Sequence, residues 1–123
     1  MIEFKMSADV VERLKRHSAD QKNIVLDFDD GVGPYSAVGG CALDGGFKLL
    51  LVANEISGDD YEPLLDSPLG QVWVKKYSLG YFENEGPKLA LNSNGMVQFS
   101  NNSGLVEANL EIVDDPAETE GIK

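Results

Sequence analysis

Cys41 is the only cysteine in the chain. It closes a run built for bending, Gly31-Val32-Gly33-Pro34-Tyr35-Ser36-Ala37-Val38-Gly39-Gly40-Cys41. A thiolate is a soft metal ligand and a nucleophile. The two glycines before it let the backbone approach a bound object closely. The plainer alternative is a small buried apolar residue at the start of a strand, a common setting for free cysteine. Asp29, Asp30 and Asp44 lie nearby in sequence. Negative neighbours disfavour a free thiolate, whereas a bound cation reverses that sign. Those three aspartates are also weak candidate oxygen ligands.

Other groups are weighed in the same way. Asp27 and Asp29 fall on one side of a strand, about 7 Å apart by strand rise. That spacing suits a hard cation or an acid/base pair. A calcium loop is excluded, because Gly31 stands one place early and Val38 occupies the position where a bidentate Glu is needed. The favoured reading of these aspartates is that they cap a turn and solvate a strand end. A dinucleotide loop is excluded too. Ser36 replaces the third glycine, Pro34 removes an N–H donor, and a strand follows instead of a helix. His17 reads as an exposed cation at a helix C-terminus. Trp73, Tyr77, Tyr81 and Phe82 surround Lys75 and Lys76. Core packing beside a lysine-blunted edge strand is favoured over a binding patch there. No nucleophile–base pair is present, so no enzymatic activity is expected.

These groups sit in a chain of 123 residues, a length that suits one domain of 1–113 with an acidic tail of 114–123. Hydrophobic residues make up 42% and charged residues 25%, so a core can form without a disulfide or structural metal. No basic-then-apolar leader and no membrane-length apolar run is present, so a cytoplasmic protein is expected. The net charge is −11. It opposes binding to nucleic acid or anionic membrane and favours a basic protein surface as partner. Residues 1–22 hold five Lys/Arg against four Asp/Glu, while the remaining 101 hold five against seventeen. The first segment is therefore a distinct element laid on an acidic body.

The elements follow from periodicity. Ile2 and Phe4 alternate with Glu3 and Lys5, which predicts an edge strand over Met1–Lys5. Ser7 as N-cap, Asp9 in the first turn and a stripe of Val10, Val11 and Leu14 predict a helix from Ala8 to about Ser18. Strands are expected at Ile24–Phe28, Phe47–Val52 and Val72–Val74. A hairpin is expected around Asn92-Ser93-Asn94-Gly95. The alternation of Val106, Ala108, Leu110 and Ile112 predicts one half-buried strand. Ser78 could cap a short helical turn over Leu79–Asn84. The fold class expected is α+β, mostly antiparallel β with one N-terminal helix.

Taken in order, several stretches carry a resemblance. They are Ser-Ala-Asp-Val-Val-Glu-Arg-Leu in the helix, Leu26-Asp27-Phe28-Asp29-Asp30-Gly31-Val32-Gly33-Pro34, the Gly-Gly-Cys ending at Cys41, and Phe-Lys-Leu-Leu-Leu-Val after it. Gly70–Val74 through Tyr81-Phe82, Pro87–Leu91 and Met96–Phe99 complete the pattern. The chain resembles the HesB/IscA-like iron–sulfur cluster biosynthesis family over about residues 1–113. It is most similar to the short form found in Gram-positive bacteria such as lactobacilli. The resemblance implies a compact, mostly β fold and an accessory protein that carries or scaffolds iron or an iron–sulfur cluster. Family members hold the metal with one cysteine in a Ser-Gly-Cys loop and two in a C-terminal Cys-Gly-Cys, usually as dimers or tetramers. Only the first cysteine carries over, onto Cys41. The C-terminal pair is replaced by Asn101-Asn102-Ser103-Gly104-Leu105-Val106. A two-iron cluster usually takes four thiolates, of which a homodimer of this chain supplies two. A partner of the iron–sulfur assembly pathway, a small thiol, a carboxylate or His17 would supply the rest. The alternative is a module that kept the fold, lost the metal and recruits a protein partner.

Overall fold

A computed structural model describes residues 1–28, 46–53, 55–56 and 60–114. Cys41, Asp29, Asp30 and Asp44 lie outside the described residues, as do residues 115–123 of the expected tail; Asp114, expected to begin that tail, is instead the last residue of a strand. The elements in chain order are β1 (Ile2–Glu3), β2 (Lys5–Met6), α1 (Ala8–Lys15), β3 (Asn23–Phe28), β4 (Phe47–Val52), β5 (Tyr61–Ser67) and β6 (Gly70–Lys75). A 3₁₀ segment (Lys76–Tyr81) follows, then β7 (Lys88–Leu91), β8 (Val97–Asn101), β9 (Gly104–Glu107) and β10 (Glu111–Asp114). They form a six-stranded sheet in the order β1-β5-β6-β3-β4-β10 and a four-stranded sheet in the order β2-β7-β8-β9.

The architecture is α+β, as expected, and both sheets are mixed. The antiparallel ladders β3–β4, β5–β6, β7–β8 and β8–β9 each join neighbours in sequence. The parallel ladders β1–β5, β3–β6, β4–β10 and β2–β7 join distant segments. Local turns set hairpins, whereas parallel pairs need long crossovers, so only the first kind is written into short-range pattern.

The chain steps from one sheet to the other between β1 and β2 and again between β9 and β10. The edge strand expected over Met1–Lys5 is two strands in different sheets, with fully buried Phe4 between them. The single strand expected over Val106–Ile112 is likewise split. Its first half pairs with β8, and Ala108-Asn109 bend the chain so that its second half pairs with β4. The alternation survives both breaks because Val106, Leu110 and Ile112 all pack on the same core between the sheets.

That core contains Ile24, Leu26, Leu49, Leu51, Val72 and Val74 from the large sheet and Leu89, Val97 and Phe99 from the small one. Helix α1 adds Val10 and Leu14. It ends at Lys15, earlier than expected, because Ser18 takes a left-handed conformation with φ 61°. At the other end the Ser7 hydroxyl donates to Asp9, whose carboxylate also accepts the Val10 N–H. Asp9, not the Ser7 side chain, thus satisfies a first-turn donor. The opposite face of the large sheet carries a smaller cluster of Val25, Leu50, Val52 and Tyr61. Among the described residues no helix is long and apolar enough to cross a membrane.

Candidate functional site

Strands β3 and β4 run antiparallel with Phe28 opposite Phe47 as their last pair. The chain leaves the sheet after Phe28 and returns at Gly46, so the segment bearing Cys41 stands on these two residues. What the structure defines is the base of that segment, and it differs on the two faces of the sheet.

On the core face the base is aromatic. The Phe28 and Phe47 rings lie 5.1 Å apart, and Tyr81 sits 5.9 Å from the first and 5.2 Å from the second. Phe47 also meets Phe82 at 6.0 Å and Phe99 at 5.1 Å. Edge-to-face rings of this kind contribute about 0.5–1.5 kcal/mol per pair beyond area burial. Tyr81 comes from the 3₁₀ segment, which forms where a helical turn was expected but begins earlier. Ser78 lies buried inside it and donates to the Lys75 carbonyl at 2.7 Å.

On the other face the base is polar and dry. Strand alternation puts Val25 and Asp27 on the side away from the main core, and does the same for Trp73 and Lys75 on β6. Asp27 is 1% exposed and accepts a 2.8 Å hydrogen bond from the Tyr61 hydroxyl. Lys75 is fully buried; its Nζ lies 3.4 Å from Asp27 Oδ1 and donates to the Phe28 carbonyl at 2.9 Å. The same ammonium stands 5.9 Å from the ring centroids of Tyr61 and Tyr77.

Two expectations are corrected here. Asp27 does not solvate a strand end, since β3 lies between β6 and β4 and its carboxylate is sealed. Lys75 does not blunt an edge, since β6 lies between β5 and β3. Of the two lysines only Lys76 is exposed, in an ion pair of 3.4 Å with Glu62.

A third support comes from β9. Glu107 Oε1 accepts the Phe47 N–H at 3.2 Å. A Cβ on Gly46 would stand 2.8 Å from the same oxygen, so a side chain there displaces this carboxylate. Tyr61, Lys75 and Glu107 were not singled out as site residues from the sequence. The available clue was Asp27, an acid inside an apolar strand, which requires a buried partner.

The remaining expected residues separate. Trp73 packs in the smaller cluster and Phe82 in the main core, as the packing reading anticipates. Tyr77 and Tyr81 remain 57% and 40% exposed. His17 Nδ1 lies 3.2 Å from Asp114 Oδ2, away from the β3–β4 base. Among the described residues no group of three or more His, Cys, Asp or Glu side chains is placed to hold a metal ion.

Residues 2–114 match the family model for iron–sulphur cluster biosynthesis. The chain belongs to this HesB/IscA-like family. A Lactobacillus salivarius protein, given a provisional iron–sulfur biosynthesis assignment and a fold described as novel, superposes with a TM-score of 0.78. It is 31% identical, over 92% of this chain and 98% of that one. A Lactobacillus acidophilus protein with the same provisional assignment superposes with a TM-score of 0.68. At 20% identity, over 93% of this chain and 90% of that one, it supports the fold alone. No curated protein matches the chain. This member of the family thus has a single cysteine in the segment between Phe28 and Gly46, and the residues flanking that segment lie between an aromatic and a polar face.

Proposed function

We propose that the protein is a non-catalytic accessory in iron–sulfur cluster assembly that holds iron or a cluster as cargo, with Cys41 as its sulfur ligand. The observation that carries this reading is the family match across residues 2–114, a span that includes Cys41 and both strands at its base. The base supports it physically. Aromatic packing on one face and the Asp27–Lys75–Tyr61 group on the other fix where the segment starts and ends. Two copies bring two thiolates to a cluster that takes four, and a small thiol, a carboxylate or a protein of the assembly pathway completes the set. Asp29, Asp30 and Asp44 are the weak oxygen donors close to Cys41 in sequence. A ligand set completed from outside suits cargo that must be passed on. The reading places the protein in the cytoplasm, where thiols stay reduced.

Anaerobic reconstitution with ferrous iron and sulfide tests it. The wild type is expected to gain visible-region absorbance and to shift to a dimeric native mass, and Cys41→Ser abolishes both. A wild type that stays colourless and iron-free overturns the reading. The net charge of −11 favours a second reading, a metal-free interaction module of the same fold. On that reading Cys41→Ser changes nothing.

A further inference from the structure

Beside the aromatic base runs a groove of about 450 Å³ between the 3₁₀ segment and the β8–β9 hairpin, lined by Gly80, Tyr81, Glu85, Ser103, Leu105 and Val106. Its walls are pinned to each other. Asn101 Nδ2 donates to the Tyr81 carbonyl at 3.0 Å, and the Ser103 hydroxyl donates to Glu85 Oε1 at 3.1 Å. Its floor is open, since a Cβ on Gly80 or Gly104 would meet no heavy atom within 4 Å. Two large side chains are left in solvent along it, Tyr81 at 40% and Leu105 at 57% exposure. Glu85 is the one charged residue in the lining.

We propose that this groove docks a protein partner through an extended segment that places a Lys or Arg next to an apolar side chain. The apolar side chain covers Tyr81 and Leu105, and the cation meets Glu85. Charge decides between occupants. A second copy brings another −11 to a wall that already carries a carboxylate, whereas a cationic segment is attracted at long range and paired on arrival. The backbone of β9, the outer strand of the small sheet among the described residues, lies along the same rim and can pair with an extended chain. This surface is independent of whether Cys41 binds iron. Tyr81 nevertheless packs on Phe28 and Phe47, so a docked partner sits beside the base of the Cys41 segment.

The test is a titration of ¹⁵N-labelled full-length protein with a synthetic peptide of alternating Leu and Lys, followed by amide shifts. The expected result is saturable shifts concentrated at Gly80–Glu85 and Ser103–Val106. Leu105→Ser and Glu85→Gln should each weaken binding by about tenfold while leaving the thermal midpoint near that of wild type. A peptide with Glu in place of Lys should give no shifts, and added salt should weaken the Lys peptide. Shifts spread evenly over the acidic surface, or unchanged binding by both variants, overturn the proposal. So does broadening of the groove amides with rising protein concentration and a doubled native mass in the absence of peptide, which would make a second copy the occupant. Cys41→Ser should bind the peptide as wild type does, so failure of cargo binding and failure of docking are told apart.

Discussion

Lys75 and Asp27 bring two ionisable groups of opposite sign, 3.4 Å apart, to a position with almost no access to water. Taking either ion out of water costs several kcal/mol, which good geometry and extra hydrogen bonds recover only in part. The extra bonds are present, from Tyr61 to Asp27 and from Lys75 to the Phe28 carbonyl. Removing one charge is therefore far worse than removing both. Lys75→Ala should destabilise the fold by about 3–5 kcal/mol, whereas Asp27→Leu with Lys75→Met should lose only about 1–3 kcal/mol, the cost of taking those partners from the Tyr61 hydroxyl and the Phe28 carbonyl. Chemical denaturation of the three proteins reads both numbers. A double variant as damaged as the single one would mean that packing, not charge, dominates here. Tyr61→Phe should cost about 1.5–3 kcal/mol, the scale of a hydrogen bond to a charged group. A second residue-scale constraint is Gly86, at φ +56° with Asn102 Oδ1 2.9 Å from where a Cβ would stand. Gly86→Ala should lose at least about 1–2 kcal/mol for the left-handed backbone alone, visible as a lowered thermal midpoint.

At the scale of elements, β10 is tied to the segment after α1 through one carboxylate. Asp114 pairs with Lys22 and with His17 Nδ1. The hydrogen bond from Lys22 is the main cause that holds the Asp114 carboxyl below its ordinary value of 3.8. A carboxylate with a lowered folded value contributes stability that is complete above the ordinary value and is lost as pH falls through the folded one. The stability difference between wild type and Asp114→Asn should thus shrink as pH falls below 3.8, as read by denaturation at a series of pH values. A difference that grows as pH falls below 3.8 would contradict the pairing. This tie also shows what periodicity conveys and what it hides. Strands β3 and β4 and the Asn94-Gly95 hairpin follow from apolar runs and turn residues, because each of these patterns is local. The breaks at Phe4 and at Ala108-Asn109 were hidden because side-chain alternation continues across them. Strand β5 was missed because Pro63 interrupts its pattern; it sits where the β5–β6 register shifts, between Glu62 and Leu65, a position that tolerates a missing donor. Of the candidate site, the thiol expected from the sequence, Cys41, and the glycines before it lie outside the described residues. The base was illegible, since a lysine after Val-Trp-Val resembles a strand end until a neighbouring strand is seen to cover it.

For the whole molecule, the two sheet-crossing joints decide whether the sheets unfold together. The Phe4 N–H donates to Asp66 in the large sheet at 2.8 Å, while its ring meets Phe99 of the small sheet edge-on at 6.2 Å. The Leu110 N–H donates to Val97 of the small sheet at 2.8 Å, and the next residues pair with β4 of the large one. With Ile24, Leu49, Leu89 and Phe99 in one continuous core, neither sheet keeps its buried face if the other leaves. The chain offers separate probes of this coupling. Trp73, the only tryptophan, reports the outer face of the large sheet, whereas far-ultraviolet circular dichroism reports strands of both. The two signals should trace one coincident transition in denaturant, the mark of two-state unfolding. Phe4→Ala should lower both together by about 3–5 kcal/mol, the cost of an aromatic-sized core cavity. If the circular dichroism transition in Phe4→Ala begins well before the Trp73 transition, the small sheet can detach alone. The base of the Cys41 segment would then lose Phe99 and Glu107 while β3 and β4 stay paired, and on the proposed function any iron bound by reconstitution should be lost at denaturant levels where Trp73 still reports a native environment.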